Sequence, residues 1–252
     1  MAGNEKTGQD LGTGGEPVRL VVARYREDLA WLEGIPWPAT VYDKGGDLPV
    51  SENPWRTVRP LANLGREAHT YLTHIIRDWD HLAGTTIFVQ GNPFLHLRSD
   101  GKATVADLLA LVEERVASAV PFSGLAWFRM RCDGLGRPHD MRDLSTKGRW
   151  AGWGKDIPVA EVFEGLFAAP APGTFIARGA TGNFLVTRER ILARPRSFYE
   201  RMLRMIADDP DDERNTGHAV ERLWQHVFGG NPALGAEGAG TPGQAPREGE
   251  EA

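Results

Sequence analysis

Along this chain, short and almost wholly apolar runs alternate with longer stretches whose apolar residues recur every three or four positions. VRLVVAR (18–24) is nearly continuous in apolar residues, the pattern of a strand buried on both faces of a parallel sheet. It runs into Tyr25-Arg26-Glu27-Asp28, after which LAWL begins a helical turn. ATVYDKGG (39–46) reads as a second strand and a glycine turn, whereas VSENPWRTVRP (50–60) is turn-rich and irregular. Residues 61–96 read in order as loop, amphipathic helix, turn, buried strand and polar loop. Asn63 is placed to cap that helix, and Glu67 falls in its first turn, where negative charge suits the dipole. Ala68, Leu72, Ile75, Ile76 and Trp79 make one apolar stripe; Glu67, Thr70, Tyr71 and His74 fall on a different, polar-leaning face. The β-rich run TTIFV (85–89) stops abruptly at Gln90-Gly91-Asn92-Pro93, with His96 just beyond.

The second half is more mixed. TVADLLALVEERVA (104–117) is a strong helix with a capping-box-like start at Thr104 and Asp107 and an apolar face of Val105, Leu108, Leu109, Val112 and Val116. LAWFRMR (125–131) alternates like a half-exposed strand. Residues 132–156 show little periodicity and are long for a connection, the kind of loop that is functional or mobile. Asp156-Ile157-Pro158 opens a helix with Val159, Val162, Phe163 and Leu166 inward. GTFIARGATGNFLVTRERIL (173–192) reads as two short strands around a glycine bend, then a helix capped by Thr187. Helical patterns follow at 194–209 and at 219–229, the latter stopped by Gly229 and Gly230.

Alternating strands and helices, then a mixed C-terminal part, predict an α/β fold: a mainly parallel central sheet flanked by helices. The polar, glycine-rich ends 1–16 and 230–252 are expected to be disordered tails, leaving one α/β domain over 17–229. The composition is that of an ordinary globular protein, with 41% hydrophobic and 25% charged residues. A net charge of −5 argues against a general nucleic-acid binder. A lone Cys132 excludes an intramolecular disulfide framework and a multi-cysteine zinc site. No apolar run approaches a membrane span and no signal peptide opens the chain, so a cytoplasmic protein without a membrane partner is expected. Oligomeric state is not legible. Of the eight tryptophans, Trp37, Trp55, Trp150 and Trp153 sit in loop-like sequence, where they either cover the core or stack on sugars or bases.

Polar groups at strand ends are the candidate chemistry, because open α/β sheets bind ligands at the carboxyl ends of their strands. Arg24, Glu27 and Asp28 follow the first strand, either as helix-start carboxylates with a solvated arginine or as a ligand-holding loop. Gln90, Asn92 and His96 follow TTIFV. Arg66 and Glu67 are an internal ion pair or a ligand contact. His69 and His74 are five apart and no HEXXH is present, which disfavours a zinc hydrolase. GATGN (179–183) has no lysine and serine/threonine after it, so it reads as a hairpin rather than a phosphate loop.

Two resemblances bear on function. VVARYREDLAWL, YDKGG, NLGREAHTYLTHII, IFVQGNPFLH, NFLVTRERILARPRSFYERML and ERLWQHVFG, in that order over about 18–229, resemble the domain-of-unknown-function family 3431, which carries no activity in its name. More distantly, the first strand with its polar end, VYDKG and NLGREAHTYLTHII look like the nucleotide-sugar half of glycosyltransferases with the A-type fold, and GNFLVTRERILARPRSFYERML is similar to their acceptor half. That resemblance implies a sugar moved from a nucleoside-diphosphate donor to an unknown acceptor. Arg24, Glu27 and Asp28 would then lie near the donor nucleotide, Asn63, Arg66 and Glu67 beside its ribose and phosphates, and Gln90 to His96 under the diphosphate. The family's metal-binding aspartate pair is replaced here by QGNP, which argues against a divalent metal. Either Arg66 or Arg188 neutralises the diphosphate instead, or the ligand is something else. Inverting transfer needs a carboxylate base, for which Glu221, Glu189 and Glu67 are the candidates. A catalytically silent nucleotide- or sugar-binding protein, and a hydrolase pairing His96 with a carboxylate, are the alternatives.

Overall fold

The computed structural model describes residues 17–137, 156–179 and 182–230. Trp150, Trp153, most of the loop expected at 132–156, the tip of the 179–183 bend and both expected tails lie outside these residues.

The main sheet has seven strands. In chain order they are β1 (Val18–Arg24), β2 (Ala39–Asp43), β3 (Ser51–Asn53), β4 (Arg56–Pro60), β5 (Thr85–Gln90), β6 (Phe122–Gly124) and, after the smaller ribbon, β9 (Phe184–Thr187). They lie in the order β3-β4-β2-β1-β5-β9-β6. Strands β4, β2, β1 and β5 are mutually parallel, β3 and β9 run against them, and the edge strand β6 is antiparallel to β9. Strands β7 (Arg129–Cys132) and β8 (Phe175–Arg178) form a separate antiparallel pair.

The continuous apolar run of β1 has the predicted cause: both faces of the sheet are covered. Val21, Ala23, Tyr42, Phe88, Phe184 and Val186 face one layer of helices: α1 (Arg66–Arg77), α3 (Val159–Phe167), α5 (Arg196–Ala207) and α6 (Thr216–Phe228). Leu20, Val22, Val41, Ile87, Val89 and Leu185 face α2 (Val105–Ala117). The short α4 (Arg188–Leu192) begins at the Thr187 cap, whose side chain accepts from the Arg190 N–H. Among the described residues no helix is long and apolar enough to cross a membrane.

Four local expectations change. The stretch 50–60 is a small hairpin in which β4 pairs parallel with β2 and β3 forms the antiparallel edge. The run 125–131 is not one strand: the Leu125 N–H goes to the Asn183 carbonyl and that of Ala126 to Gly179, so the chain leaves the main sheet before β7 begins. The expected polar face of α1 is buried, Thr70, Tyr71 and His74 included: Tyr71 packs on Phe88 and Phe184 and His74 on Tyr42 and Phe88, so that face meets the sheet. Val116 of the expected apolar face of α2 is exposed, and Leu108 and Val112 carry the buried contact.

The capping box of α2 forms as read. The Thr104 hydroxyl accepts from the Asp107 N–H and the Asp107 carboxylate accepts from the Thr104 N–H at 2.8 Å. Thr104→Ala is expected to lower stability by about 1 kcal/mol. The change should appear as a lower urea midpoint with an unaltered slope.

Candidate functional site

Strands β1 and β2 lead the chain to one side and β5 starts the other, so the strand order reverses at β1. In an open parallel sheet that reversal opens a crevice beyond the carboxyl ends of the strands, where ligands bind. The loops after β1, β2, β4 and β5 meet there, and α1 and α6 begin at the same rim.

Part of the charge at this rim is fully used in bracing. Arg24, only 5% exposed, donates to Asp43 Oδ1 at 2.8 Å, to both carboxylate oxygens of Asp47 and to the Glu27 carbonyl at 2.9 Å. These hydrogen bonds raise its pKa, the Asp47 bond contributing most. Glu27 accepts the N–H groups of Tyr25 and Arg26, and Asp28 accepts that of Ala30. Asn92 accepts from the Phe94 N–H and braces the turn after β5. Each of these four candidates therefore stands at the rim but is occupied by neighbouring backbone or an ion pair.

The entry to α1 is built differently from the expected asparagine cap. Asn63 is exposed and the helix is instead preceded by Gly65, at φ 47°, and begins at Arg66, at φ 53°. Two successive residues in the left-handed region, one of them not glycine, are strained backbone of the kind found at functional sites. Lys44, just after β2, holds the turn: its ammonium donates to the carbonyls of Leu64, at 2.5 Å, and Arg66. Burial pulls the Lys44 pKa down to about 8. Gly65 also has no room for a side chain, since a Cβ there would lie 2.0 Å from Ile206. Opposite it, Gly217 at the start of α6 lets the two helix starts touch.

That contact brings α6 over α1 and sets Glu221 in the electrostatic field of Glu67. Glu67 accepts from the Gln90 side-chain amide at 2.8 Å, and Gln90 lies against the backbone of Gly182. Glu221 keeps some accessible surface although protein atoms crowd it on almost every side. Among the described residues nothing donates a hydrogen bond to it. Burial first, and the negative charge of Glu67 second, push its pKa up to about 7. Arg66 donates through Nε to Asp212 at 3.1 Å, and its two terminal nitrogens have no partner among the described residues. His218, next to this group, is held neutral by burial and by the arginines Arg66 and Arg222, with a pKa of about 3. His69 is likewise lowered to about 4, by burial and by Lys44.

The remaining candidates make no contact with this group among the described residues. His96 packs its ring edge-on against Phe128 at 5.7 Å, and among the described residues no carboxylate is hydrogen-bonded to it. Arg188 and Glu189 follow β9, which is antiparallel to β5 with Thr187 opposite Thr85, so they stand at the other rim of the sheet. Trp37 packs partly into the α2-side core, and Trp55 is exposed with Arg56 over its ring.

Sequence reading passed over two residues that build this rim. Lys44 stands in the quoted YDKGG, and a lysine between a buried strand and two glycines was the available signal. Asn183 is fully buried: its side-chain oxygen accepts the Gln90 N–H at 2.9 Å and its amide donates to the Pro93 carbonyl, tying the end of β5 to the start of β9. Tyr71 adds a 2.6 Å hydrogen bond from its hydroxyl to the Gly182 carbonyl beneath the same corner. No local pattern around Asn183 announces that contact.

Fold and rim together define an α/β protein with two electrostatically coupled carboxylates, Glu67 and Glu221, at the switch point of its sheet. The chain belongs to the family described as protein of unknown function DUF3431, which it matches over residues 20–239. No curated protein and no solved structure matches it.

Proposed function

We propose that the rim is the active site of a glycosyltransferase-like enzyme that takes a sugar from a nucleoside-diphosphate donor. The observation that carries this reading is Glu221, a carboxylate that keeps some exposed surface, receives no hydrogen bond among the described residues and has its pKa pushed up to about 7 beside Glu67. Such a group is a general base matched to physiological pH. The acceptor hydroxyl oxygen attacks the anomeric carbon and passes its proton to Glu221. The bond from that carbon to the diphosphate breaks, and its electron pair leaves with the diphosphate. The terminal nitrogens of Arg66, without a partner among the described residues, would meet the charge that develops there. At the end of β5 the polar groups are amides already engaged, Gln90 with Glu67 and Asn92 with Phe94, which is a poor donor set for a hard divalent cation. Glu67 has two roles: it positions Gln90 and raises the pKa of Glu221.

A catalytically silent binder on the same scaffold is the second reading, favoured by those engaged amides at the strand end. The test is thermal-shift screening against nucleoside diphosphates with and without manganese, followed by nucleotide-sugar hydrolysis. A ligand at 100 times its Kd stabilises by about 2.7 kcal/mol. The transferase reading expects a midpoint rise with at least one diphosphate, reduced by Arg66→Gln, and slow release of the sugar. A shift without turnover selects the binder, and no shift with any nucleotide sinks both.

A further inference from the structure

A second concavity lies at the edge of the main sheet, beyond β9. It holds about 640 Å³ and opens between the last turn of α2, edge strand β6 and the β7–β8 ribbon. Three arginines line it: Arg115 from α2, Arg129 from β7 and Arg178 from β8. Arg129 and Arg178 are directly opposite each other in the β7–β8 ladder, a like-charge pairing that repels. Among the described residues neither has an ion pair. Arg115 reaches Glu114 with one terminal nitrogen, but its Nε is buried with no partner, an unfavourable state for a donor on a charged group. Among the described residues no carboxylate lines the hollow.

Beside these cations stands Trp127, 57% exposed, its ring edge-on to Phe128 at 5.6 Å and so held out from the wall. The Trp127 N–H donates to the His96 carbonyl at 2.9 Å, which joins the groove to the loop after β5. In a chain of net charge −5, two arginines facing each other across a ladder, in a hollow that no carboxylate lines among the described residues, are a local conflict, and such conflicts mark sites where a ligand completes the balance. The cations come from two walls, α2 on one and the ribbon on the other. That arrangement suits negative groups spread along a chain of flat-faced rings. A nucleotide, with its phosphates gathered at one end, would leave one wall unmatched.

We propose that this groove binds an anionic saccharide, with Arg129 and Arg178 on its acidic groups from one side, Arg115 from the other, and Trp127 under a sugar ring. The proposal rests on the transferase reading only in making that saccharide the acceptor. Its test is therefore a binding measurement without donor: oligogalacturonate titrated into the full-length protein and followed by tryptophan fluorescence and calorimetry. Saturable binding that weakens with salt is expected, with at least a tenfold higher Kd in the double variant Arg129→Gln/Arg178→Gln and a several-fold higher Kd in Trp127→Ala. Uncharged maltooligosaccharide should not bind. The double variant should melt no lower than the parent, since a repulsion is removed; a clearly lower midpoint would mean that the arginines serve structure and would overturn the idea. Absence of saturable binding, an unchanged Kd in the double variant, or tighter binding of a nucleoside diphosphate to these same arginines overturns it as well. Nucleotide protection that depends on Arg66 and not on Arg129 would leave the donor reading standing even if the groove proposal fell.

Discussion

Glu221→Gln is expected to make the protein more stable at pH 8 while removing most of the turnover that the proposed transferase would show. The sign follows from the direction of the shift. The folded-state pKa of Glu221, about 7, lies above the ordinary 4.5. Below about pH 4.5 the group is protonated in both folded and unfolded chains, and its contribution to stability is fully present. As pH rises toward 7 the unfolded chain ionises first, and that contribution is lost. The full shift would correspond to about 3 kcal/mol, at 1.36 kcal/mol for each pKa unit. Because the group keeps some contact with water, on the order of 1–2 kcal/mol is the realistic gain for the amide. The gain should be absent at pH 4.5, grow toward pH 7 and level off above it, read as urea midpoints across that range. Over the same range the wild-type rate should rise with pH, since the base must be ionised. The amide should lose roughly 10²- to 10⁴-fold. A structural glutamate would behave oppositely, with the amide less stable at pH 8.

Glu67 allows a second reading of the same coupling. Its charge is the second cause of the Glu221 shift, after burial. Removing that charge in Glu67→Gln should carry the acid limb of the rate profile to lower pH, while the amide oxygen can still accept from Gln90.

The parallel centre of the fold was readable because its cause is local. LVVA within VRLVVAR and IFV within TTIFV are apolar at successive positions, and only a strand covered on both faces tolerates that. What escaped depended on partners far away in the chain. Arg24 looked like a free cation at a strand end, yet Asp43 and Asp47, 19 and 23 residues later, saturate it. Asn63 looked like a cap, but Lys44 twists the turn so that Gly65 and Arg66 make the entry to α1 instead. Arg188 follows a strand just as Arg24 does; strand direction is not written in local sequence, and the antiparallel β9 delivers it to the other rim. Glu221 and Glu67 were named singly from their residue type. Their coupling depends on the close passage of Gly65 and Gly217, which no spacing in the chain expresses.

Arg194→Met is expected to cause the largest loss of stability, about 2–4 kcal/mol. Arg194 is 1% exposed and serves as a cap from outside the helix it caps. Its Nε donates to the Val227 carbonyl at 2.8 Å and a terminal nitrogen to that of His226 at 3.1 Å, both in the last turn of α6, where carbonyls lack intrahelical partners. Arg190 serves the carbonyls of Phe228 and Gly230 in the same way. The guanidinium of Arg194 also lies over the rings of Phe167, at 5.0 Å, and Phe198, at 4.6 Å. Burial lowers its pKa to about 10, so it remains charged at neutral pH. Methionine keeps the apolar stem but leaves buried carbonyls without donors, at about 1–3 kcal/mol each, partly offset by no longer burying a charge. Lysine should rescue little, because a point charge cannot reproduce a planar fork between two aromatic faces. Since the same helix carries Glu221, the loss should reach activity only through the folded fraction. At a temperature where the variant is fully folded, its rate and its pH profile should match the parent, and a displaced acid limb would instead mean that the end of α6 sets the position of its carboxylate.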